Sequence, residues 1–345
     1  MSPQDQPQPS GAHLVGSVPL DSTDDVFRYA CKTLPGYLRR IPDGETGERF
    51  NFVDWQRSLF PGKVAPPFGS PPKEVPIDEV EATVASLPTI HTGYDDAAMS
   101  SYAVFRKLKD EGVIPAHVLF QVSLPTVVST LVCIEFSYRA AVEPLYEEAL
   151  LRALARIQAE IPAHDLAIQW DVAPDIGIIE GVPFLRPWFI PVHEGIVQRI
   201  VRLADKVNDD VEMGFHLCYG DYEHRHWMEP RDTGTMVDLA TALLRRVKHP
   251  VRWFHMPVPK SRDDVAYFAP LQKLVDPLEQ GPTELYLGLV HPNDEEGTKR
   301  RIRAVGEAGI GMTFGVATEC GMGRTPASEL DSIFGIMKGV SQPVS

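Results

Sequence analysis

The chain has 345 residues and a formal net charge of −14, with 43% hydrophobic and 23% charged side chains. This is globular composition with enough chain for a large core, and it excludes wholesale disorder. The acidic balance speaks against nucleic acid or an anionic membrane as partner, because both need clustered Lys and Arg.

No apolar run approaches the ~18 residues of a membrane span. The length admits roughly two domains at ~150 residues each, or one large barrel. Residues 1–12 open with the polar, proline-rich MSPQDQPQPS. They lack the basic start and apolar stretch of a secretory signal, and are expected to form a disordered leader on a cytoplasmic protein. Four cysteines in this length do not make a disulfide scaffold, so their contexts matter more than their number.

In chain order, eight short β-rich runs each end in polar, Gly or Pro residues. They are 13–19 (HLVGSVP), 37–45 (YLRRIPDGE), 118–125 (VLFQVSLP) and 166–173 (LAIQWDVA), then 211–218 (VEMGFHLC), 251–258 (VRWFHMPV), 284–291 (ELYLGLVH) and 311–318 (GMTFGVAT). Helical spacing follows most of them. Asp21, Ser22 and Thr23 offer N-caps to a helix reaching Leu34, and further helices are expected over 142–161, 192–207, 233–247, 262–275, 294–308 and 326–337. Strands alternating with helices imply a parallel sheet, and eight such units imply a single closed (β/α)8 barrel over 13–340 with a short tail, 341–345. An open doubly wound sheet is the competitor, weakened because GSVP after the first strand is not a Gly-rich phosphate turn. The exception to the rhythm is 46–116, a long insertion between strands two and three with a helix near 100–111. Loops of that length are usually functional, and it is expected to act as a partial lid.

Barrel enzymes keep their chemistry at the C-terminal ends of the strands. Here those ends carry Asp43 and Glu45, then Gln169 and Asp171, then His216 and Cys218, His255, His291, and finally Glu319 and Cys320. His216 and Cys218 stand two residues apart along a strand, so their side chains point to one side. Cys320 can reach the same point across the mouth, and a His/Cys/Cys set with an open position suits catalytic zinc. The bland reading is that buried Cys and hydrogen-bonded His are ordinary core residues. Asp43 before Gly44 fits a turn as well as an acid–base role. Asp171 has the better functional claim, since an acid at a barrel mouth is hydrated, paired or catalytic. His224 and His226, in DYEHRHW, are expected on a loop lining the mouth.

These residues resemble the C-terminal catalytic barrel of the cobalamin-independent methionine synthase family, in its short stand-alone form, from about His13 to Met337. Gly16-Ser17-Val18-Pro19 resembles its GSFP motif and Asp43-Gly44-Glu45 its HGE motif, with Asp43 in place of His. Gln169-Trp170-Asp171 resembles QIDE, His216-Leu217-Cys218-Tyr219 resembles HMCY, Gly288 to His291 resembles the segment ending in a catalytic histidine, and Glu319-Cys320-Gly321 resembles DCG.

The resemblance implies a zinc site held by His216, Cys218 and Cys320, with His255 standing where the family's glutamate ligand falls. It implies Ser17, Glu45, Asp43 and Gln169 in substrate binding, and Asp171 with His291 in proton transfer. The implied activity is zinc-dependent transfer of an alkyl group, methyl first, to a small-molecule thiol, and the implied donor is a methylated folate. The folate region expected after strand three is not recognisable in 123–137, the synthases' N-terminal barrel is absent, and the 46–116 insertion is foreign to them. Two rivals stay open: a zinc-dependent lyase or hydrolase cleaving a C–S or related bond, and a non-catalytic binding protein that lost a ligand. Self-association into a homo-oligomer also stays open.

Overall fold

The structure, a computed structural model, describes residues 8–67, 70–71, 73–222, 225–226, 228–279 and 281–344, with backbone alone at 221–222 and 225–226. All eight expected strands form. They are β1 (Ala12–His13), β2 (Arg40–Pro42), β3 (Leu119–Pro125), β4 (Leu166–Val172), β5 (Glu212–Leu217), β6 (Val251–Pro257), β7 (Glu284–Val290) and β8 (Gly315–Thr318). Every neighbouring pair is parallel, and β8 returns to β1 through Ala12 opposite Val316. The remaining seam is bridged by Ala12 N–H donating to the Tyr37 carbonyl at 2.9 Å and Val18 N–H to that of Gly44 at 2.9 Å. The result is the (β/α)8 barrel expected from the alternation.

β2 is shorter than 37–45 for local reasons. Pro42 has no N–H for a ladder, and Gly44 (φ 82°) and Glu45 (φ 48°) take the left-handed conformation, so the chain turns out of the sheet. The barrel also reaches further than 13–340. Residues 8–12 are not a disordered leader: Gly11 N–H donates to the Gln342 carbonyl and Gln342 N–H to that of Pro9, both at 2.8 Å. The tail therefore packs beside β1.

The helix expected at 142 begins six residues earlier, as Phe136–Glu160, because the Glu135 carboxylate caps Phe136 N–H at 2.8 Å. Pro144 then sits inside it. The helix expected over 262–275 is broken into Val265–Phe268, a 3-10 turn Ala269–Leu271 and Gln272–Glu279.

The 46–116 insertion divides in two. Its helix, Tyr94–Asp110, packs against Thr23–Thr33 and Phe136–Glu160. It is thus the crossover helix that parallel β2 and β3 require. Only the part before it is an addition. That part is anchored over the mouth by Glu135 N–H to the Val64 carbonyl (2.8 Å) and by Tyr146 Oη to Gln56 Oε1 (2.8 Å). At the opposite end Arg40 closes the barrel floor. Its guanidinium stacks 4.0 Å over Trp253 and pairs with Glu284 at 2.9 Å. Among the described residues, no helix is long and apolar enough to cross a membrane.

Candidate metal centre and its surroundings

His216 on β5, Cys218 just beyond it and Cys320 just beyond β8 meet at the C-terminal mouth. The two sulfurs lie 3.9 Å apart, His216 Nε2 lies 3.7 Å from Cys320 Sγ, and all three ligand atoms fall within 4.8 Å of one another. Zn–S near ~2.3 Å and Zn–N near ~2.0–2.1 Å at a tetrahedral angle require edges of roughly 3.8 Å for S–S and 3.6 Å for N–S. The donor set suits zinc, and the Cys218–Cys320 and His216–Cys320 edges match those of a tetrahedral site. Among the described residues, this is the only group of three His, Cys, Asp or Glu side chains so placed.

The sequence builds this convergence locally. His216 and Cys218 share a face by strand period. Gly220 (φ 75°) turns the chain so that its N–H reaches back to Cys218 Sγ at 3.4 Å, a donor suited to a thiolate. The Cys320 loop is pinned by Ser17, whose Oγ accepts Gly323 N–H at 3.0 Å and whose carbonyl accepts Met322 N–H at 2.7 Å. A Cβ on Gly321 would stand 2.4 Å from Ser17 Oγ, so this close approach needs glycine. Ser17 therefore positions the loop that carries Cys320.

His255 is not placed as a fourth ligand. It lies beside His216 in register on β6, and both its nitrogens are taken: Nε2 by the Thr318 carbonyl at 2.9 Å, Nδ1 by His216 Nδ1 at 2.7 Å. A carbonyl only accepts, so the His255 proton sits on Nε2. Burial pushes the pKa of His255 down to about 4, so the ring is neutral and its Nδ1 offers a lone pair. His216, also lowered by burial, must then donate from Nδ1. Its Nε2 is left unprotonated and facing Cys320. His255 thereby fixes the His216 tautomer with Nε2 unprotonated, the form in which an imidazole can bind a metal.

The other expected site residues separate into layers. Gln169 is fully buried below the mouth. Its Oε1 receives His13 Nε2 at 2.8 Å, and its Nε2 donates to the Val15 carbonyl at 2.5 Å and to Asp171 Oδ1 at 2.9 Å. It orients Asp171 and has no free group for a substrate. Asp43 accepts Glu45 N–H at 2.9 Å, Arg49 at 2.7 Å and Ser101 Oγ at 2.6 Å. The turn reading of Asp43 is the one the geometry supports.

Glu45 and Asp171 are two buried carboxyls at the mouth. Burial, then Asp43, pushes the Glu45 carboxyl up to about 7 against the pull of Arg49. Burial, then Glu45, raises Asp171, against the Gln169 hydrogen bond.

His291 stands apart. Its Nε2 donates to the Val258 carbonyl at 2.9 Å, burial pushes its pKa down to about 3, and no hydrogen bond joins it to Asp171 among the described residues. β4 and β7 lie on different sides of the barrel, with β5 and β6 between them. His224 lies outside the described residues, and His226 is described only as backbone paired with Asp221. Sequence reasoning passed over Arg49, Thr318 and Arg139, whose roles depend on partners distant in the chain. Arg139 is nearly fully buried and spends its donors on the Val132, Ile134 and Arg186 carbonyls, which holds two mouth loops together.

Fold and site together define a (β/α)8 barrel with a His/Cys/Cys cluster at the C-terminal end of its strands. No family model matches the chain, and no curated protein matches it. Its fold is similar to that of a B12-independent methionine synthase from Shewanella sp. W3-18-1, solved in complex with selenomethionine. The identity is 12%, 96% of each chain is covered and the TM-score is 0.55. A protein from Listeria monocytogenes, provisionally assigned as a vitamin-B12-independent methionine synthase, aligns at 12% identity over 96% of each chain with a TM-score of 0.48.

Proposed function

We propose that this chain is a zinc-dependent transferase that moves an alkyl group, methyl in the simplest case, onto a thiol. The observation that carries the reading is the convergence of His216, Cys218 and Cys320 within 4.8 Å of one another, with the Cys218–Cys320 and His216–Cys320 separations near those of zinc ligands. A structural zinc site would be closed by a fourth protein donor, and His255, the histidine in register with His216 on the neighbouring strand, is committed elsewhere.

Bound there, Zn2+ would lower the pKa of a coordinated thiol, otherwise near ~8.5, and hold it as the reactive thiolate. The chain's own residues do the rest. His255 keeps the proton of His216 on Nδ1. Gln169 holds Asp171 Oδ1, which leaves Oδ2 to accept the proton released by the incoming thiol. Ser17 fixes the loop that carries Cys320. The segment before Tyr94 narrows access of water to the mouth.

The test is elemental analysis with a thiol alkylation assay. We expect one zinc per chain in the purified protein, and faster alkylation of added thiol by methyl iodide at pH 6 in the zinc form than in Cys320→Ala. A fully active metal-free protein, or turnover of a single substrate with no thiol acceptor, would sink the reading and favour a lyase.

A further inference from the structure

Two spaces lie at the mouth, and of the two only the larger touches the cluster. The smaller, with Asp43, Glu45, Arg49 and Tyr94 in its lining, has a volume of about 10 Å3. That is close to the ~10–15 Å3 a single water needs, and too little for the charged head of an amino acid. The other is a cavity of about 690 Å3 that has Cys218, Gly220 and Cys320 in one wall. Its size lies inside the ~300–1,000 Å3 of pockets that hold drug-sized ligands.

The far walls of the large cavity are apolar. They come from Phe52 and Pro66 of the segment before Tyr94, Ile134 and Phe136 after β3, and Phe184 and Leu185 after β4. Several of the polar groups among them are already engaged inside the protein. Asp54 pairs with Arg57 at 2.8 Å, Glu135 caps Phe136 N–H, Arg139 is spent on three carbonyls, and the Arg186 guanidinium lies 4.4 Å over the Phe136 ring. Phe184, 54% exposed, is among the residues that line this cavity, and an apolar ligand there would cover more of it.

We propose that the sulfur-bearing substrate of this site carries a bulky apolar body, aromatic or branched, which fills the cavity against Phe52, Phe136 and Phe184 while its sulfur reaches the Cys218–Cys320 wall. This rests on the transferase reading for the sulfur end, and on the cavity alone for the apolar end. A small zwitterionic thiol such as homocysteine leaves most of these walls uncovered.

The experiment uses the full chain loaded with Co2+, whose visible spectrum reports thiolate coordination. Dissociation constants are measured for homocysteine, 2-mercaptoethanol, 2-phenylethanethiol and 2-(2-naphthyl)ethanethiol. The two aryl thiols are expected to bind at least tenfold tighter than homocysteine. Phe184→Ala, at a half-exposed position and with circular dichroism as the folding control, should weaken them at least fivefold. Phe184→Leu should restore most of the loss, and 2-mercaptoethanol should bind alike in all three proteins. Homocysteine binding as tightly as the aryl thiols, or a Phe184→Ala protein indistinguishable from wild type, overturns the proposal.

Failure to take up Co2+ refutes the metal reading instead. In that event the cavity is scored without metal, by displacement of a fluorescent naphthalene probe with 2-phenylethyl methyl thioether. Displacement that Phe184→Ala weakens upholds the apolar class of ligand, and absence of displacement overturns it.

Discussion

Replacing His255 separates a residue that binds metal from one that prepares a ligand to bind it. His255→Gln keeps an amide N–H at the depth of Nε2, where it can still donate to the Thr318 carbonyl, but offers nothing at the depth of Nδ1. His255→Asn does the reverse: its amide oxygen stands where Nδ1 accepts from His216, and the Thr318 contact is lost. The wild-type contacts are 2.7 Å to His216 and 2.9 Å to Thr318.

In His255→Gln the His216 N–H is left unpaired on a side chain only 4% exposed. An unsatisfied buried donor costs ~1–3 kcal/mol. The ring can relieve that cost by moving its proton to Nε2, the atom a metal needs, so zinc must then displace it. Loss of such a supporting partner typically costs ~10–100-fold in metal affinity, or ~1.4–2.7 kcal/mol. His255→Asn should lose less than tenfold, below ~1.4 kcal/mol.

The assay is zinc competition against a chromophoric chelator, with circular dichroism of the metal-free proteins as the folding control. Equal affinity in wild type and His255→Gln refutes the reasoning. So do two imidazoles in the zinc shell by X-ray absorption, which would make His255 a ligand after all.

Other outcomes follow from single contacts. Cys218→Ser and Cys320→Ser should each purify without stoichiometric zinc, while Cys31→Ser and Cys133→Ser, at thiols outside the cluster, should keep it; elemental analysis decides. Asp175 is fully buried, and burial raises its pKa from 3.8 to about 6 against hydrogen bonds from Thr126 and Ser129. A carboxyl raised on folding stabilises most below its unfolded pKa, and that contribution is lost as pH rises through the folded value. Asp175→Asn should therefore gain on wild type between pH 4 and pH 7, by up to ~3 kcal/mol; parallel urea curves showing no pH-dependent difference would refute this. A Cβ on Gly214 would stand 2.1 Å from the buried Trp253 ring, so Gly214→Ala should lower stability by ~1–3 kcal/mol or more in urea denaturation.

The strand count was legible because each run is short, β-rich and bounded by Gly, Pro or polar residues, and no helix competes for such runs. Strand ends were less so. Where β2 stops depends on the left-handed Gly44 and Glu45, which the letters PDGE allow but do not compel. The crossover helix inside 46–116 was missed as a barrel part because its partners, Thr23–Thr33 and Phe136–Glu160, lie on either side in sequence and meet only when the sheet curls.

The cluster itself followed from a local rule. Residues two apart on a strand share a face, and strand ends share a mouth, so His216, Cys218 and Cys320 had to be near one another. The roles of the remaining residues hang on a second partner that no local rule supplies. His255 looks like a ligand until the Thr318 carbonyl, reaching it from β8, takes its Nε2. Asp43 and Asp171 are the same residue type at equivalent strand ends, yet three protein donors reach Asp43, whereas Asp171 has Gln169 on one oxygen. That difference makes Asp43 a turn anchor, and it arises from Arg49 and Ser101, six and fifty-eight residues further along the chain, while burial and Glu45 raise the pKa of Asp171.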